Sequence, residues 1–216
     1  MLKNKLHSLL LWIISTILLV TLTSCNQHPS PSDVALSYYE LLIKQNSSQM
    51  EALGMSKETA DSITANIKEN LTTQITQNLS SEAIPNLPED QLLQLQTAYF
   101  KALSKLSATA THTKGNKMCE VTLSTPCIDF TQLNEKATNL ALNEVNISEY
   151  NDKDLYLSHL TTAYIKYLTE AYENAAPEEI SNTATFTFTK QNGIWLPKDY
   201  DSFATELCSL ISTSIE

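Results

Sequence analysis

Arginine is absent from the 216 residues, and glycine occurs only at Gly54, Gly115 and Gly193. Without Arg there is no bidentate clamp for phosphate or carboxylate, which argues against a nucleic-acid partner. Three scattered glycines exclude a glycine-rich loop that cradles phosphate. No His stands at metal-ligand spacing from a Cys. Asn151-Asp152-Lys153-Asp154 lacks the glycine and distal Glu of a calcium loop. No Ser sits in a nucleophile elbow. His159, beside Asp152 and Asp154, reads as a solvated helix residue rather than half of an acid–base pair. We therefore expect no cofactor, no metal and no enzyme. A long apolar run is missing too. Leu6 to Val20 is interrupted by His7, Ser8, Ser15 and Thr16, and a spanning helix needs roughly 20 apolar residues.

That short run does have a recognisable setting. Lys3 and Lys5 precede it, and Leu22-Thr23-Ser24-Cys25 follows. A basic start, an apolar middle and small residues at the exit make a secretory signal. With cysteine next, the stretch resembles the lipobox of bacterial lipoproteins. That resemblance implies a diacylglycerol thioether on Cys25, acyl chains of the palmitate kind, and cleavage between Ser24 and Cys25. The organisation expected is a signal peptide over 1–24, the lipidated Cys and a polar tether over 25–32, and one extracytoplasmic domain over 33–216. An ordinary secretion signal would instead leave Cys25 a plain thiol, and an uncleaved one would leave a membrane helix. Two acyl chains hold a bilayer durably, because each buried methylene contributes about 0.8 kcal/mol.

Lys3 and Lys5 lie within 1–24 and no acid does, so the remainder carries 12 Lys against 24 Asp and Glu. Such a domain stays soluble by self-repulsion and as a whole is not drawn to an anionic bilayer. Its partners are expected to be the membrane, through the lipid on Cys25, and an envelope protein or small ligand. Cys119, Cys127 and Cys208 are candidate disulfide partners outside the cytoplasm or equally buried small apolar side chains.

The periodicity predicts an α+β fold, with long helices on one face of an antiparallel sheet built from two hairpins. Ser32 is placed to cap a first helix with Val34, Tyr38, Leu41 and Leu42 on one face. A second, capped by Ser56, carries Ala60, Ile63, Ile67, Leu71, Ile75 and Leu79. Leu92, Leu95, Tyr99 and Leu103 mark a third. Ser107–Thr113 and Cys119–Ser124 read as a hairpin around Lys114-Gly115-Asn116. A fourth helix surrounds Leu133, Ala137, Leu140 and Ala141, and a fifth starts at Asn151-Asp152 with Tyr164, Tyr167 and Leu168 inward. Ala184, Phe186 and Phe188 alternate with threonines, Asn192-Gly193 turns the chain, and Ile194-Trp195-Leu196 returns. A last helix is capped by Asp201 or Ser202.

The strand ending at Thr125-Pro126, the hairpin Lys190 to Pro197 and the stretch Leu53 to Glu58 resemble lipoproteins of low-GC Gram-positive bacteria that carry a domain of unknown function. The hairpin and terminal helix are more distantly similar to nuclear-transport-factor-two-like, cystatin-related domains, which implies a bent sheet around a helix, often with a cavity. Neither resemblance supplies a catalytic residue. Tyr156, Tyr164 and Tyr167 share a helix, and with Trp195 they are the candidate lining of a ligand pocket. The reading is a lipid-anchored cell-envelope protein facing outside the cytoplasm. It acts as a non-enzymatic binding or scaffolding module; the alternatives are a small-ligand carrier and, third, an enzyme.

Overall fold

The computed structural model describes residues 29–79 and 88–212. The signal peptide, Cys25, the first tether residues 26–28 and the connector around Pro85 lie outside the described residues, as do the side chains of Ile75 and Leu79. The described chain runs α1 (Pro31–Leu42), α2 (Lys57–Leu79), α3 (Glu89–Ser104), β1 (Thr109–His112), β2 (Met118–Pro126), α4 (Phe130–Glu144), α5 (Lys153–Asn174), β3 (Ser181–Gln191), β4 (Ile194–Pro197) and α6 (Tyr200–Leu210), with short 3-10 turns at Glu51–Leu53 and Ile147–Glu149. This is an α+β fold with one four-stranded antiparallel sheet. The described residues form two compact units: 29–67, 106–127 and 178–212 in the first, and 68–79, 88–105 and 128–177 in the second.

The first unit holds the sheet, in the order β1-β2-β3-β4. The two hairpins join because β2 and β3 pair along their whole common length, from Met118 opposite Thr189 to Pro126 opposite Ser181. Alternation decides the faces. Cys119, Val121, Leu123 and Thr125 of β2 point inward with Phe186, Phe188 and Trp195. Their neighbours Thr122 and Ser124 form a hydroxyl row with Thr185 and Thr183 on the other side, at 3.0 and 3.3 Å. α1 and α6 pack on the inward face. Phe203 of α6 meets Phe186 and Phe188 edge-on at 4.7 and 5.7 Å between ring centroids.

The cap of α1 lies two residues before the Ser32 expected from sequence. Ser30 is the cap: its Oγ accepts from Asp33 N, and Asp33 Oδ2 accepts from Ser30 N. Pro31 explains the shift. It lacks an N–H, and its fixed φ suits the first helical position, while Asp33 completes the reciprocal capping box. The terminal helix shifts likewise. Asp199, rather than Asp201 or Ser202, accepts from Ser202 N at 3.0 Å. The Asn192-Gly193 turn has φ of 52° and 89°, the pair of positive values that a two-residue hairpin requires.

In the second unit α3 and α4 pack on α5. Leu95, Ala137, Ile165 and Leu168 are its buried centre, with Tyr164, Tyr167 and Tyr172 packed around it. The alanines Ala137 and Ala141 let α4 approach α5 closely, since a small residue leaves room for the facing ring. Leu140 of α4 is 39% exposed.

Candidate functional site

The tyrosines of α5 come from a helix whose spacing of three and four puts Tyr156, Tyr164 and Tyr167 near one side. Each is tied into the second unit. The Tyr164 hydroxyl donates to Asn134 Oδ1 of α4, and burial pushes its pKa upward. The Tyr167 hydroxyl donates to Glu144 Oε2 at 2.5 Å. Lys166 donates to the same oxygen at 3.0 Å, and its Nζ lies 4.6 Å from the Tyr167 ring centre. The hydrogen bond from Tyr167, followed by that from Lys166, holds the Glu144 carboxyl below its ordinary range. The same bond to Glu144 raises Tyr167 and Lys166. Tyr156 stacks edge-on against Tyr150 at 5.6 Å. The Tyr150 hydroxyl and His159 Nδ1 share a hydrogen bond of 2.8 Å.

Deeper in this unit, sequence reasoning missed an aromatic cluster. Tyr172 meets Tyr99 and Phe130 at 5.7 and 5.5 Å, and Tyr99 meets Phe130 at 5.2 Å. Burial raises the Tyr172 hydroxyl far above the ordinary tyrosine range. Three different helices supply these rings, so no local spacing announces them.

Trp195, the other expected pocket residue, belongs to the first unit. It is buried on the inward face of β4, with Lys190 Nζ 5.7 Å from its ring centre. Two further polar links in this unit were not foreseen. Tyr39 is wholly buried, and its hydroxyl and Thr125 Oγ1 share a bond of 2.7 Å. Ser32 Oγ and His112 Nδ1 share another of 2.7 Å. A serine against an imidazole is half of a nucleophilic pair, but Ser32 lies in the regular first turn of α1 and its bond joins that turn to the end of β1. His159 is likewise bonded to a phenol. Cys119 and Cys208 stand as free thiols, on β2 and α6. Burial pushes Cys208 up to about 12 and also raises Cys119. Cys127 is buried just beyond β2.

Among the described residues no group of His, Cys, Asp and Glu could hold a metal ion, and no helix is long and apolar enough to cross a membrane. No family model matches the chain. No curated protein matches it either. Among solved structures, the fold is similar to that of a candidate lipoprotein, ycdA, from Bacillus subtilis subsp. subtilis str. 168. The TM-score is 0.62 at 16% identity, over 85% of this chain and 56% of that one. The chain thus spans little more than half the length of that structure, and the likeness is one of fold.

Proposed function

We propose that this protein is a lipid-anchored cell-envelope protein whose domain serves as a non-enzymatic binding or scaffolding module outside the cytoplasm. The observation that carries the reading is the lipobox Leu22-Thr23-Ser24-Cys25, placed four residues ahead of Pro29, where the folded chain is first described. The fold shared with a candidate lipoprotein supports it. Signal cleavage leaves Cys25 as the first residue. Its diacylglycerol replaces the apolar run as the membrane attachment. Four pairs of polar side chains are hydrogen-bonded within the fold: Ser32 with His112, Tyr150 with His159, Tyr164 with Asn134, Tyr167 with Glu144.

Fractionation of the producing cells tests the anchor. The wild type should sediment with membranes and enter the detergent phase with a diacylglycerol on Cys25, and Cys25→Ala should keep its signal uncleaved and carry no diacylglycerol. Equal partition of both forms into the aqueous phase would remove the anchor.

A further inference from the structure

Both hairpin turns of the sheet lie at one end. β2 starts at Met118, opposite Thr189 near the end of β3, so the β1–β2 turn and the Asn192-Gly193 turn are neighbours. Lys190 N donates to Lys117 O at 2.8 Å across that edge. The start of α1 is at the same end, because Ser32 bonds His112, the last residue of β1. The chain arriving from Cys25 therefore enters here. Four residue steps separate Cys25 from Pro29, and an extended chain covers at most about 14 Å in that distance.

The composition of this end inverts that of the molecule. From His112 to Met118 and from Thr189 to Trp195 there are three lysines, Lys114, Lys117 and Lys190, and no acid, although acids outnumber lysines 24 to 14 in the chain. All three lysines are exposed, and Met118 is 59% exposed beside them. Of the adjoining acids, Asp33 accepts from Ser30 in the capping box, and Glu120 borders the turn, opposite Thr187 and with its N–H donating to Thr113 Oγ1 at 3.0 Å.

We infer that this end of the sheet docks on anionic lipid headgroups of the membrane that carries the anchor. The inference rests on the anchor proposed above. The lipid supplies residence at the surface, and the lysines supply orientation: they meet headgroup phosphates while the acidic remainder is repelled outward. Each lysine next to an anionic surface is worth about a fivefold change in equilibrium. The net charge weighs against attraction of the whole domain, but at about 0.1 M salt charges farther than about 10 Å are screened, so the nearest groups decide.

The test uses the mature lipidated protein in vesicles of phosphatidylcholine alone, or with about one third phosphatidylglycerol, the anionic fraction that the lysines would sense. Flotation reports the anchor and amide hydrogen exchange reports docking. Wild type should float with both vesicle types. Exchange at 113–118 and 190–194 should slow severalfold on the anionic ones only. Lys114→Gln/Lys117→Gln/Lys190→Gln should still float and lose that slowing, as should wild type in high salt. Flotation with equal exchange on both vesicles would overturn the docking alone. Failure to float at all would overturn the anchor and the docking with it. Slowing produced equally by inorganic phosphate without vesicles would mark a free-anion site and overturn the membrane assignment.

Discussion

Tyr39 shows what one buried hydroxyl does. Its ring fills the space between α1 and the sheet, and its oxygen would be stranded there without Thr125. Thr125 Oγ1 also donates to Pro126 O, so Tyr39→Phe does not orphan it. That variant should lose about 1 kcal/mol at neutral pH in a denaturant titration, the net value of one hydrogen bond. Burial pushes Tyr39 from 10.0 up to about 12. The folded protein therefore holds this proton more tightly than the unfolded one. The resulting stabilisation is complete below pH 10 and is lost as pH rises towards 12. Tyr39→Phe should accordingly fall less steeply than wild type over that interval; parallel curves would show that Tyr39 ionises freely in the fold. The thiols give a second prediction. A thiol held near 12 has little thiolate at pH 8, so Cys208 should react with a maleimide much more slowly in the native protein than in the unfolded one. Comparable rates would show that this half-buried thiol is open to solvent in the fold.

At the scale of elements, the strands and turns were the most legible. Threonine–phenylalanine alternation over β3 and Asn192-Gly193 fix a face and a turn by local chemistry alone. Gly193→Ala should lower stability by about 1–2 kcal/mol, because an alanine resists the left-handed backbone that the 89° φ imposes; an unchanged melting temperature would contradict that turn. Helix starts were legible in kind but not in place, since Ser30 and Ser32 both offer a cap and Pro31 between them decides. The site was less legible. Residues 32 and 112, 39 and 125, and 99, 130 and 172 meet only through tertiary packing. The tyrosines of α5 were found by spacing, but the partners of their hydroxyls on α4, Asn134 and Glu144, were not. Lys114, Lys117 and Lys190 became one group only once the register of β2 and β3 was known.

For the whole molecule, the proposed anchor and the charge belong together. Self-repulsion keeps an acidic domain apart from its copies, and the proposed lipid on Cys25 would override that repulsion at one point of the chain. The short connection to Pro29 would then make the end nearest the lipid the end nearest the bilayer. Modification of Cys25 is tested most directly by mass spectrometry of the N-terminal peptide from the membrane-extracted protein. That peptide should begin at Cys25 and carry the mass of a diacylglycerol. A peptide that begins upstream of Cys25, or one with Cys25 as an unmodified thiol, would contradict it.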